Sequence, residues 1–210
     1  MSNEVVILAD GAFPKEKRLL DIIRSASFLI CCDGAITNLL EIGIEPHLII
    51  GDLDSISPSL KQYFSDRIVQ IDTQDTNDLT KAAEWASEHG YKKAIILGAN
   101  GKRDDHSIAN IFLLRRYQYL FESVLMLSDY GSWRPIKEST KFVSFKGQQV
   151  SIFSPLIPEP LYSENLKYPL NGLVLSELFV GTLNESLGDW FSLSFEKGEH
   201  VVFQTNEPKY

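Results

Sequence analysis

The sequence predicts an α/β chain of two parts: a three-layer α/β/α domain with a mostly parallel sheet over residues 1–131, then a small antiparallel β-sandwich over 132–210. Three observations predict it. Apolar runs of strand length alternate with helical segments through the first 128 residues. After Asp129 the helical period disappears, and Gly and Pro punctuate short alternating segments. Aspartates gather just past the strand-like runs of the first part.

The strand-like runs come in order as Val5–Ala9, Phe28–Cys32, His47–Ile50, Ile68–Ile71, Ala94–Leu97 and Ser123–Leu127. Continuous Val/Ile/Leu runs of this kind suit strands covered on both faces. Helical candidates lie between them. The best covers 77–89, with Leu79, Ala82, Ala83 and Ala86 on one face and Gly90 as its stop. A second covers 105–117, where Ile108, Ile111 and Phe112 mark a mixed face. Repeated strand–helix–strand units imply parallel strands with right-handed crossovers. In the second part, residues 141–145, 149–153, 191–195 and 200–204 carry period-two or β-branched and aromatic character, which reads as antiparallel strands.

Composition narrows the function. The 210 residues are 44% hydrophobic and 23% charged, enough to fold around a core. Lys plus Arg is 20 against 28 Asp plus Glu, a net charge of −8. That balance speaks against nucleic acid and anionic membrane as partners, both of which attract basic faces. No apolar run approaches the ~18 residues of a membrane span. The start, Met1-Ser2-Asn3-Glu4, has no basic n-region, so no signal peptide is expected. Cys31 and Cys32 are adjacent in an apolar run. They read as two buried thiols rather than a disulfide or zinc site, and so point to the cytoplasm.

There are 13 aspartates, and ten of them follow strands of the first part: Asp10, Asp33, Asp52, Asp54, Asp72, Asp75, Asp78, Asp104, Asp105 and Asp129. In an open parallel sheet the ligand crevice lies outside these strand ends. Neighbouring carboxylates repel, and a bound Mg²⁺ would remove that cost. The plainer alternative is that Asp serves as a turn and cap residue, as at Asp10, Asp72 and Asp129.

Three segments carry the chemistry. Gly51-Asp52-Leu53-Asp54-Ser55 follows a strand; if its backbone is extended, Asp52 and Asp54 face one ion together, and Gly51 lets a ligand approach. Gln74-Asp75-Thr76-Asn77-Asp78-Leu79-Thr80-Lys81 opens the best helix. There Asp78 and Lys81 are neighbours, either as a surface ion pair or as a metal ligand beside a phosphate-binding ammonium. Gly98-Ala99-Asn100-Gly101-Lys102-Arg103-Asp104-Asp105-His106 joins a strand to a helix. In it, Arg103 can grip phosphate bidentately, His106 reads first as a helix-start hydrogen-bonding residue, and Asn110 lies one turn on. The Gly-Lys here lacks the following Ser or Thr of a Walker loop.

Together and in this order, with Asp33-Gly34-Ala35 before them and Leu166-Lys167-Tyr168-Pro169-Leu170 and Gly181-Thr182-Leu183-Asn184-Glu185 after, these segments resemble the thiamin pyrophosphokinase family. Two positions differ from its pattern: Asn77 stands where Thr is common, and Leu183 where Ser is usual. The resemblance implies a Rossmann-like N-terminal domain that binds nucleotide and metal and carries catalysis, and a C-terminal domain that binds thiamin. It implies Mg²⁺-dependent transfer of pyrophosphate from ATP, the cosubstrate, to the thiamin hydroxyl, giving thiamin diphosphate and AMP. Asp52, Asp54 and Asp78 would hold metal, joined in the catalytic set by Asp75, Lys81, Arg103 and Asp105. Asp33, Gly34, Gly51, Ser55, Gly98, Gly101, His106 and Asn110 would line the nucleotide site. Gln74, Tyr168 and Asn184 would meet thiamin, with Tyr168 stacking on the cation. A homodimer with active sites at the subunit interface is implied. The alternatives are a pyrophosphokinase for another alcohol such as a pterin, which Leu183 favours, and a non-catalytic thiamin or nucleotide sensor. An Asp-x-Asp sugar transferase is more distant.

Overall fold

The computed structural model describes residues 3–73, 75–154 and 159–209. They form two compact units, Met1–Asp129 and Tyr130–Tyr210. In the first unit the elements run β1 (Glu4–Leu8), α1 (Lys17–Ser25), β2 (Leu29–Cys32), a 3₁₀ turn (Asp33–Ala35), α2 (Ile36–Glu41), β3 (Leu48–Gly51), α3 (Pro58–Tyr63), β4 (Ile68–Gln70), α4 (Asp78–Glu88), β5 (Lys93–Leu97), α5 (Asp104–Tyr117) and β6 (Ser123–Ser128).

These six strands lie in the order β6-β5-β1-β2-β3-β4, every neighbouring pair parallel. Alternate residues feed the two faces. Val6, Leu8, Leu29, Cys31 and Ile49 pack with Leu19 and Ile23 of α1, Ile36 and Leu39 of α2, and Phe64 after α3. On the other parity Val5, Ile7, Ile30, Cys32 and Ile50 are equally buried. There α4 lies over β1, β2 and β3, and α5 over β6. Three layers result, as the strand-length apolar runs require. The two long helices arise where their apolar period predicts them. The shorter α1, α2 and α3 add to them, each burying at most two residues of its own.

The second unit contains β7 (Gly131–Ile136), β8 (Thr140–Val143), β9 (Gln148–Phe153), β10 (Pro160–Glu164), β11 (Asn171–Val174), β12 (Asn184–Glu185), β13 (Trp190–Ser194) and β14 (His200–Pro208). One antiparallel layer runs β12-β9-β14-β7 and the other β11-β10-β13-β8. Ile136, Val150, Ile152 and Val202 of the first layer meet Phe142, Leu161, Phe191 and Leu193 of the second in one core. Phe142 and Phe191 stack with centroids 4.7 Å apart. This is the sandwich expected, with β7, β10, β11 and β12 added to the strands that alternation indicates. No described helix is long and apolar enough to cross a membrane.

Candidate active site

The strand order reverses between β1 and β5, and a parallel sheet opens its crevice at such a point. A cavity of about 430 Å³ lies there, lined from the ends of β1, β2, β3 and β5 and from the start of α4.

Acid collects on one wall. Parallel register places Cys32 of β2 beside Ile50 of β3, so the residues that follow, Asp33 and Gly51, are neighbours. A Cβ on Gly51 would sit 2.8 Å from the Asp33 Cβ, and one on Gly34 would clash with Asp10 Oδ2. Glycine at both positions lets the carboxylates pack against backbone. One oxygen from each of Asp33, Asp52 and Asp78 lies within 4.8 Å of the others. Asp33 is only 4% exposed, and its buried Oδ2 has no hydrogen-bond partner among the described residues. Burial first, then the charges of Asp78 and Asp52, push the Asp33 carboxyl up, while the Ser55 backbone N–H partly opposes them. An orphaned buried oxygen among three carboxylates is what a hard divalent cation would satisfy.

The expectation of an extended Asp52-Leu53-Asp54 is corrected by the backbone. Leu53 has φ 67°, in the left-handed region, so the two aspartates do not share a face. Asp54 is exposed and donates its backbone N–H to Asp52 Oδ1 at 3.2 Å. The third carboxylate near Asp52 and Asp78 is Asp33 rather than Asp54.

Cations face this wall, each tied to a carboxylate. Lys81, 4% exposed, donates to Asp78 Oδ1 at 2.9 Å, so the bridge has a buried ammonium and a half-buried carboxylate. Arg103 grips Asp105 through Nε and Nη2 at 3.1 and 2.6 Å. That fork, with the His106 backbone N–H, holds the Asp105 carboxyl at about 2 and raises Arg103 further. Lys102, between Gly101 and Arg103, donates to Asp10 Oδ1 at 2.7 Å.

A hydrogen-bonded bridge aligns the two helix starts. Asn77 caps α4, its Oδ1 accepting from the Thr80 N–H at 2.9 Å and from Thr80 Oγ1 at 2.8 Å. Its Nδ2 donates to Asn110 Oδ1 at 2.9 Å, and Asn110 Nδ2 donates to the Ala99 carbonyl at 2.7 Å. Asn110 thus ties the loop after β5 to the helix that carries Asp78 and Lys81. Sequence spacing points to Asn110 but not to its partners, because Asn77 lies 33 residues away.

Ser55, Gly101 and His106 line the cavity with the acids. Gly98 and Gly101 turn the loop with φ of 64° and 76°. Asp75 is exposed, bonded locally to Thr73, and does not line the cavity. Gln74 lies outside the described residues. Asp129, read as a turn residue, accepts from the backbone N–H groups of Lys15 and Glu16 and so anchors the approach to α1.

In the second unit Asn184 is buried, and both ends of its amide hold one peptide segment. Its Oδ1 accepts from the Tyr168 N–H at 3.1 Å, and its Nδ2 donates to the Tyr168 carbonyl at 2.7 Å. Tyr168 is left 61% exposed, so its ring is available to a ligand rather than packed in the core. Leu183 has φ 59° and is also exposed.

The chain matches the family model described as thiamin pyrophosphokinase, catalytic domain, over residues 19–126. It matches the model described as thiamin pyrophosphokinase, substrate-binding domain, over 131–203. It is 28% identical over 183 residues to thiamin pyrophosphokinase 1 of Caenorhabditis elegans, covering 80% of this chain and 75% of that one. It is 36% identical over 95 residues to thiamine pyrophosphokinase 1 of rice, Oryza sativa subsp. japonica. That match spans 40% of this chain and only 35% of the rice protein. The crystal structure of thiamine pyrophosphokinase from Bacillus subtilis has the same fold, with TM-score 0.82 and 22% identity over 97% of this chain and 99% of that one. Thiamin pyrophosphokinase from Candida albicans aligns with TM-score 0.81 and 17% identity, over 98% and 90%. With both family models filling their own stretch of the chain, this protein belongs to the thiamin pyrophosphokinase family.

Proposed function

We propose that this chain transfers a pyrophosphoryl group from ATP to the hydroxyl of thiamin, giving thiamin diphosphate and AMP. The observation that carries the reading is the Asp33–Asp52–Asp78 cluster facing Lys81 inside a switch-point cavity of a chain in this family. In the reaction the thiamin oxygen bonds to the β-phosphorus. The bond from that phosphorus to the oxygen shared with the α-phosphate breaks, and AMP leaves. The hydroxyl proton passes to a carboxylate or to water. Such a transfer asks the protein mainly for alignment and charge neutralisation.

Asp33, Asp52 and Asp78 would hold Mg²⁺, which supplies Lewis-acid neutralisation of phosphate charge when bound. Asp54 and Asp75, both exposed, would act from the rim. Lys81 positions phosphate as a fixed point charge. Arg103 exchanges Asp105 for phosphate, since a guanidinium fork suits either anion. While paired to Arg103, Asp105 is a weak proton acceptor, because a useful base needs a value near the working pH. Asn184 presents the Tyr168 ring, which would stack on the thiamin cation.

The protein would act as a homodimer with shared active sites. Support comes from Tyr130, Val143 and Phe179, large apolar side chains that the second unit leaves exposed. The free, buried Cys31 and Cys32 suit the reducing cytoplasm.

The test is to mix protein, ATP, MgCl₂ and thiamin and to resolve nucleotides by chromatography. Thiamin-dependent AMP is expected; ADP, or no AMP, rejects the proposal. Leu183 beside Asn184 favours one second reading, a different alcohol acceptor. Pterin alcohols in the same assay separate the two.

A further inference from the structure

Lys102 and Asp10 both line the cavity, and the sequence motifs assign neither a role there. Lys102 is the residue between Gly101 and Arg103, and its backbone is left-handed at φ 59°. That conformation costs a non-glycine residue about 1 kcal/mol or more, so packing alone is a poor reason to keep a lysine there. From that position the side chain reaches Asp10, 92 residues earlier, with Nζ 2.7 Å from Oδ1. The Asp10 carboxylate packs over Gly34, where a Cβ would clash with its Oδ2. Gly34 in turn adjoins Asp33 of the acidic cluster.

Charge gives the pair its meaning. Four carboxylates (Asp10, Asp33, Asp52 and Asp78) and three cations (Lys81, Lys102 and Arg103) line the cavity, so 3 − 4 = −1. A polyphosphate entering with one divalent cation meets −1 + 2 = +1. Without Lys102 it meets zero.

We propose that Lys102 is a further phosphate-binding residue of this site, parked on Asp10 while the cavity is open and transferred to the nucleotide polyphosphate when it enters. Asp10 is its competitor and holds the ammonium at the mouth. This rests on the nucleotide reading above. The pair is half exposed, so the ammonium leaves it at little cost.

The test is titration calorimetry of Mg·ATP into the wild-type protein and three variants, with KM values and melting temperatures alongside. Lys102→Asn removes the charge but tolerates a left-handed backbone. It is expected to weaken Mg·ATP about tenfold, the scale of one charged hydrogen bond. The loss should fall on KM for Mg·ATP and leave KM for thiamin alone. Lys102→Arg should restore most of the affinity. Asp10→Asn should tighten Mg·ATP by severalfold, because it removes the competitor. A purely structural ion pair would instead make Lys102→Asn and Asp10→Asn move affinity and melting temperature the same way, and that result overturns the proposal. So does Mg·ATP affinity unchanged in Lys102→Asn. If wild-type protein does not bind Mg·ATP, the nucleotide reading itself is wrong and the proposal goes with it.

Discussion

Asp33, Asp52 and Asp78 hold like charges within 4.8 Å of one another. Their repulsion is a cost to the fold until a cation offsets it. Asp52→Asn removes one of those charges without changing volume. It is therefore expected to raise the melting temperature slightly in chelator, and to abolish most of the stabilisation that MgCl₂ gives the wild type. Thiamin-dependent AMP formation should drop by about 100-fold or more, the scale of losing one electrostatic contact to the transition state. Differential scanning fluorimetry with and without MgCl₂, beside the AMP assay, checks this; unaltered turnover would remove Asp52 from the site. The placement of these aspartates after strands was legible in the sequence, because turn geometry and strand ends are local. Their grouping was not. Asp33 meets Asp52 through the lateral register of β2 on β3, which spacing along the chain does not encode. The left-handed Leu53, which turns Asp54 away, has no signal either, since Leu is an unusual residue for that conformation.

Helices α4 and α5 were legible because each is long enough to show a period, and Gly90 also marks the stop of α4, whereas α2 and α3, six residues each, have too few turns to show a face, and α1 has only Leu19 and Ile23 to mark its buried side. What aligns α4 with the loop after β5 is the Asn77–Asn110 bridge. Asn77→Thr should keep the cap, as Thr caps nearly as well, but it loses the donor to Asn110 Oδ1. A buried acceptor left unpaired costs about 1–3 kcal/mol. Urea denaturation should show a loss in that range, with Asn110→Ala at least as costly because it also frees the Ala99 carbonyl. At the start of β14, His200 is fully buried. Its Nδ1 is bonded to Ser154 Oγ at 2.7 Å, and its Nε2 has no partner among the described residues. Burial pushes it down to about 4, against about 6.5 in the unfolded chain. Between those values the unfolded state binds more protons, so stability rises with pH across the window and is lost as pH falls through it. His200→Gln should flatten that dependence between pH 6.5 and 4, read as melting temperature against pH. An unchanged slope would place the acid sensitivity elsewhere.

At the scale of the molecule, acidity and function agree. A chain of net charge −8 attracts a cationic acceptor and, once a divalent ion is bound, still admits a polyphosphate. The two-part organisation was legible because the hydrophobic period changes near Asp129 and turn residues multiply after it. A homodimer has no signal in local pattern; it is proposed from the family resemblance and the exposed Tyr130, Val143 and Phe179. If the protein is a homodimer whose sites each take Asp52 from one subunit and Tyr168 from the other, Asp52→Asn and Tyr168→Ala should complement each other. In a heterodimer of the two variants one site carries both substitutions and the other carries neither. Random reassociation of equal amounts makes about half of the dimers heterodimers, by the symmetry of pairing. Each contributes one intact site of two, so the mixture should regain about a quarter of wild-type AMP formation, while either variant alone stays low. Sites built within one subunit would give no gain on mixing. Sedimentation of the unmixed proteins separates that outcome from a monomer, which would show no exchange at all.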